Sequence, residues 1–89
     1  MKLKYNFVVR KINDRAVAVA VGEDSVNFNG MVKLNTTGEF VFNILNSGDA
    51  SMEEIVSKVV EKFDVDDKTA TKAVENYVKN LRENGLIEE

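Results

Sequence analysis

The clearest local signal in the chain is period-two alternation. Ala16-Val17-Ala18-Val19-Ala20-Val21 alternates without a break, which predicts a strand. Its odd-numbered valines are expected to face the core, leaving the three alanines on a small, nearly flat outer face. Phe7-Val8-Val9-Arg10-Lys11-Ile12 predicts a strand before it, with Asn13-Asp14-Arg15 as the turn between them. Gly22-Glu23-Asp24-Ser25 breaks the second strand. Val26-Asn27-Phe28 and Met31-Val32-Lys33-Leu34 then flank Asn29-Gly30, a dipeptide that favours positive φ and suits a tight turn or a bulge. The simplest arrangement is a three-stranded antiparallel meander with strands near 6–12, 16–21 and 31–34.

Helical spacing follows. Asn35 is a good N-cap, because its side-chain oxygen can accept an otherwise unpaired amide of the first turn. Phe40, Val41, Ile44 and Leu45 share one face, and Gly48 is placed to end the helix in the left-handed conformation. Ser51-Met52-Glu53-Glu54 reads as a capping box opening a helix with Ile55, Val56, Val59, Val60 and Phe63 on one face. Asp66 caps a third, with Ala70, Val74, Tyr77, Val78 and Leu81 inward. Gly85 ends it, and Leu86-Ile87 fold back as a short apolar tail. Helices are expected near 36–46, 52–63 and 67–83. The order βββααα predicts an α+β fold, and 89 residues suit one domain spanning 1–89.

Composition narrows the chemistry. The chain has no Cys and no His, which excludes a disulfide scaffold, a thiolate or imidazole zinc site and a Ser-His-Asp triad. Carboxylate, Lys, Tyr, Ser and Thr remain, and they form no catalytic constellation. The chain therefore reads as a non-enzyme with no catalytic residue, no metal and no cofactor. Asp64-Val65-Asp66-Asp67 fails as a calcium loop: counted from Asp64, the sixth position is Thr69 where the sharp turn needs Gly, and the fifth is Lys68, a cation. No stretch approaches the roughly 18 apolar residues of a membrane span. No apolar signal core follows the basic start Met1-Lys2-Leu3-Lys4. Absent thiols and absent export signals fit a cytoplasmic protein without a membrane partner.

Charge weighs on the choice of partner. Residues 1–34 carry six Lys/Arg against three Asp/Glu, and residues 35–89 six against twelve, for a net −3. Three helices beside a small sheet suggest a winged helix-turn-helix, and hence a DNA-binding regulator reading DNA through the third helix. That helix carries Lys68, Lys72, Lys79 and Arg82, but equally Asp66, Asp67, Glu75 and Glu83. A DNA reader sets several basic residues against phosphates, so nucleic acid is not the expected partner. The strand Met31–Leu34 is more informative. As the last strand of an open meander it has an edge with unpaired N–H and C=O groups, guarded by no Pro and by Lys33 alone. Such an edge beside an amphipathic helix is a template for an added peptide strand. Edge-to-edge pairing as a homodimer is a third reading, and the expected state is a monomer or weak homodimer.

Several pieces together resemble the PqqD-like family, the recognition elements for precursors of ribosomally made, modified peptides. They are Phe28-Asn29-Gly30, Leu34-Asn35-Thr36-Thr37-Gly38, the apolar helix Phe40–Leu45 closing on Gly48, and Ser51-Met52-Glu53-Glu54-Ile55. Phe63-Asp64-Val65 and the ending Leu81-Arg82-Glu83-Asn84-Gly85-Leu86-Ile87 complete the set. The resemblance covers about residues 5 to 87, with a slightly long loop at 46–50. It implies a winged helix-turn-helix-like domain that does not bind DNA. Such a domain takes the leader of a precursor peptide as an added strand on its third strand, in a groove closed by the third helix. It then presents that peptide to a modifying enzyme, in the namesake case a radical S-adenosylmethionine enzyme of pyrroloquinoline quinone biosynthesis.

On this reading the peptide meets Met31, Val32, Lys33 and Leu34, whose backbone supplies the anchor. Val32 and Leu34 share one strand face, Met31 and Lys33 the other. Across the groove either Ala73, Tyr77 and Asn80 or the opposite flank, Thr71, Val78 and Arg82, faces the peptide. The first is preferred, because a small residue beside an aromatic leaves a pocket with a polar rim. Tyr77 as an ordinary core residue is the alternative for that position. Lys33 is placed to meet acidic leader residues, adding on-rate more than affinity.

Overall fold

In chain order the elements are β1 (Lys2–Leu3), β2 (Phe7–Ile12), β3 (Arg15–Ala20), β4 (Met31–Leu34), α1 (Thr36–Ser47), α2 (Met52–Phe63), α3 (Asp67–Glu83) and β5 (Ile87–Glu88). The structure, a computed structural model, describes residues 1–22 and 31–88. The break read at Glu23-Asp24-Ser25, the segment Val26-Asn27-Phe28 and the turn at Asn29-Gly30 lie outside the described residues.

Asn13 and Asp14 take φ of 52° and 68°, the twist a two-residue hairpin needs, so Ile12 pairs directly with Arg15. The sheet order is β2-β3-β4, antiparallel throughout. A second, two-strand ribbon pairs Lys2 with Glu88 and Leu3 with Ile87. The sequence pattern had not marked β1 or β5, which are two residues each, too short for periodicity to show.

The three expected caps are in place. Gly38 N–H donates to Asn35 Oδ1 at 2.7 Å, Glu54 N–H to Ser51 Oγ at 3.2 Å and Thr69 N–H to Asp66 Oδ1 at 2.8 Å. Hydrogen bonding from the Thr69 side chain, and then from its backbone N–H, holds the Asp66 carboxyl below its ordinary pKa. Asp64, rejected as a calcium ligand, instead ends α2 in the left-handed conformation and donates its N–H to the Val60 carbonyl. Gly48 has φ 153° and ψ −167°, a glycine conformation but not the left-handed helical one expected. Gly85, at φ 73°, closes α3: its N–H bonds the Arg82 carbonyl and the Leu86 N–H the Leu81 carbonyl. This is a Schellman ending, which turns Leu86 back into the core.

One expectation is reversed. Ala16, Ala18 and Ala20 join the core cluster, while Val17 and Val19 lie on the other face, where Val17 is still buried and Val19 half-buried. Alternation divides a strand into two faces without saying which is inside. Here the helices bring the bulk: Phe42, which the sequence reading left off the apolar stripe, is fully buried with Val41, Leu45 and Ile55, in one cluster with the three alanines. Small strand residues leave room for a large helical one at normal interior density. Phe7, opposite Ala20, meets the Phe42 ring edge-to-face at 5.2 Å.

Candidate functional site

The hairpin fixes which backbone groups of β4 are free. In a two-residue hairpin the closing pair, Ile12 and Arg15, exchanges hydrogen bonds, and bonded and non-bonded pairs then alternate along the ladder. Arg15, Val17 and Val19 therefore direct their N–H and C=O to β2. Consistent with this phase, Val21 N–H reaches the Asn6 carbonyl at 3.0 Å. Ala16 and Ala18 direct theirs to β4, where their partners are Leu34 and Val32. The polar backbone groups of Met31 and Lys33 consequently point to the open side of β4, an edge that no described strand covers.

Beside that edge runs a groove of about 220 Å³ lined by Met31, Val32, Lys33, Tyr77, Asn80, Leu81, Asn84 and Leu86. It brings together five of the seven residues singled out in the sequence: Met31, Val32, Lys33, Tyr77 and Asn80. The other two do not line it. Leu34 is buried in the core and borders a separate hollow near the hairpin end. Ala73 is exposed on α3 one turn before Tyr77. Leu81, Asn84 and Leu86 were missed. The first two continue the spacing 77, 80, 81, 84 along one helical face, and Leu86 arrives through the Gly85 reversal.

The polar rim is partly organised. The Asn84 amide donates to the Asn80 carbonyl at 2.8 Å and sits 3.3 Å from Asn80 Oδ1. Asn80 Nδ2 remains a donor available to a ligand. Lys33 is exposed and has no ion pair among the described residues.

Tyr77 is half-buried, and its hydroxyl is buried with no hydrogen-bond partner. Burial pushes its pKa up to about 12, because the phenolate loses solvation. The ring lies against Gly38. A Cβ there would sit 3.0 Å from Tyr77 Cε1 and 2.9 Å from Asn35 Oδ1. Gly38 thus serves close approach, and the Leu34-Asn35-Thr36-Thr37-Gly38 segment caps α1 and seats the groove's aromatic residue in the same few atoms.

Among the described residues no cluster of three or more potential metal ligands occurs, and no helix is long and apolar enough to cross a membrane. The acids and bases of α3 noted in the sequence are all exposed.

An open strand edge and a groove between β4 and α3 sit on a winged-helix-like α+β module of three helices and a three-stranded antiparallel sheet. The chain matches the family described as coenzyme PQQ synthesis protein D (PqqD) over residues 15–87, and it belongs to that family. The match begins at β3, later than the resemblance read from about residue 5. The fold is similar to that of TbiB1, solved in complex with the TbiA(beta) leader peptide. The two share 23% identity, with 99% of this chain and 95% of that one covered and a TM-score of 0.74. No curated protein matches the chain.

Proposed function

We propose that this chain binds the leader of a ribosomally made precursor peptide as a strand added to β4, and holds it for a modifying enzyme. The observation that carries this reading is the open edge at Met31 and Lys33 facing the Tyr77–Asn80 groove. Backbone hydrogen bonds along such an edge are tolerant of sequence, and the groove supplies selectivity for alternate side chains. Membership of the PqqD family and likeness to a protein solved with its leader peptide support the reading. Holding the leader raises the effective concentration of the attached core peptide at the enzyme. On this proposal the chain contributes no catalytic group, and Leu34 anchors the end of β4 from the core. Its setting is the cytoplasm, and it works as a monomer or weak homodimer.

The test is a reconstituted reaction of precursor, modifying enzyme and this chain, with leader affinity measured by calorimetry. Binding together with faster modification supports the proposal. Peptide modification by the chain alone would refute its non-catalytic part, and absence of leader binding would refute the whole.

A further inference from the structure

We infer that the outer face of the sheet, turned away from the helices, is a docking surface for an acid-bearing, apolar-centred surface of a second protein: the enzyme that acts on the held peptide. This rests on the strand-addition reading above and extends it to a second surface.

Register builds the face in rows. Val8 lies opposite Val19, and Val19 opposite Met31, so an apolar row crosses all three strands. The next row is Arg10, Val17 and Lys33, two exposed cations flanking a valine that is itself only 8% exposed. Ile12 and Arg15 follow at the hairpin end. Met31 is 57% exposed, Ile12 53% and Val8 39%. Isolated apolar residues at a surface are ordinary, but Val8, Val19 and Met31 form one continuous row with Ile12 on the same face beyond it, a grouping that points to an interaction site.

Charge selects the occupant. No strand position on this face is acidic. Arg10, Arg15 and Lys33 have no ion pair among the described residues. A second copy meeting the same face would set cations against cations. A polyphosphate would satisfy the cations and leave the apolar row uncovered. A protein surface with apolar residues flanked by Asp or Glu satisfies both.

The face is also continuous with the peptide site. Met31 and Lys33 turn their side chains to the outer face and their free backbone groups to the edge. A strand added at that edge lengthens each row by one residue. Three strands about 4.8 Å apart and about 20 Å long present roughly 300 Å² in projection. That is well under the ~800 Å² per partner of a stable interface. A fourth, peptide strand enlarges it by about a third, so the enzyme is expected to prefer the loaded domain to the empty one.

The experiment uses the paired substitution Val8→Glu/Arg10→Glu in the full chain, with the milder Arg10→Gln/Ile12→Thr as a second variant should the first fold poorly. Both lie on β2, which β3 separates from the peptide edge. The probes are a fluorescein-labelled precursor peptide and the modifying enzyme of the reconstituted reaction above. The expected result is peptide affinity within about twofold of the parent and enzyme stimulation reduced at least tenfold, or at least threefold for the milder pair. Parent-like stimulation by a folded, peptide-binding variant overturns the inference. So does a sedimentation shift from dimer to monomer without loss of stimulation, which would show that a second copy covers the face. If the parent chain fails to bind the peptide, the strand-addition reading falls first, and this one with it.

Discussion

Replacing Lys33 by proline tests the edge directly. The hairpin phase places the Lys33 N–H on the open side of β4, so the substitution leaves the β3–β4 ladder intact and removes one outward donor. Proline is tolerated on an edge strand for that reason. The loss has two parts. One backbone hydrogen bond to the peptide is worth about 0.5–1.5 kcal/mol net, and a peptide carbonyl left unpaired against the ring costs about 1–3 kcal/mol. Together they give about 1.5–4.5 kcal/mol, or roughly 10- to 2,000-fold in dissociation constant. Lys33→Gln controls for the lost ammonium and should cost far less. Val32→Pro is the counterpart: its N–H bonds to β3, so it should destabilise the fold rather than the complex. Calorimetry with the leader peptide and thermal melts of each variant separate the outcomes. A Lys33→Pro variant that melts normally and binds with parent affinity would place the peptide elsewhere. A destabilised Lys33→Pro beside a stable Val32→Pro would reverse the assigned phase.

Further expectations concern the groove and its alternatives. Tyr77→Phe removes a buried hydroxyl that has no partner; it should stabilise the free domain by about 1 kcal/mol and raise Tm by about 4–8 °C, and an unchanged or lower Tm would mean the hydroxyl is satisfied. Because the pKa of folded Tyr77 is raised to about 12, its contribution is fully present below the ordinary phenol value near 10 and is lost as pH climbs from there through 12; denaturant midpoints at pH 9 and 11 should differ less in Tyr77→Phe than in the parent. Gly38→Ala gains about 1 kcal/mol of helix propensity but drives the Asn35 cap and the Tyr77 ring apart, for a net destabilisation of about 1–2 kcal/mol and at least threefold weaker peptide binding; a more stable variant with intact binding would count against that close approach. Finally, leader affinity should change little between 50 and 200 mM salt, whereas a DNA reader would lose orders of magnitude over that range; a steep salt slope in a duplex titration would revive the regulator reading.

Much of the fold was legible because several local signals agreed. At Asn35, Ser51 and Asp66 a capping side chain stands immediately before an apolar helical stripe, and each cap is found bonded. The turn at Asn13-Asp14 was marked by residue types that tolerate positive φ. What the sequence did not disclose was tertiary in origin. The orientation of β3 depends on the helices, since Phe42 supplies bulk that valines would have crowded. Phe42 itself escaped notice because Phe40 and Val41 already suggested a stripe, while the true one runs Gly38, Val41, Phe42, Leu45. Pairing of β1 with β5 joins opposite ends of the chain, and no local pattern announces it.

The candidate site divides in the same way. Strand order made the β4 edge visible, and helical spacing made Tyr77 and Asn80 visible, because each signal needs only one element. Asn84 and Leu86 required knowing where α3 stops and how the chain returns, which the Gly85 ending determines. Leu34 was placed with the peptide residues because it shares the strand with Met31, Val32 and Lys33, but strand alternation and the start of α1 commit its side chain to the core. That commitment gives the edge its geometry. Leu34 anchors the end of β4 in the core, Asn35 begins α1 at the next residue, and Gly38, one turn on, admits the Tyr77 ring from α3. Five consecutive residues thereby connect the strand that would receive a peptide to the helix that would close over it. A substitution anywhere in that segment should alter stability and peptide affinity together, whereas one on β2 should leave peptide affinity almost untouched.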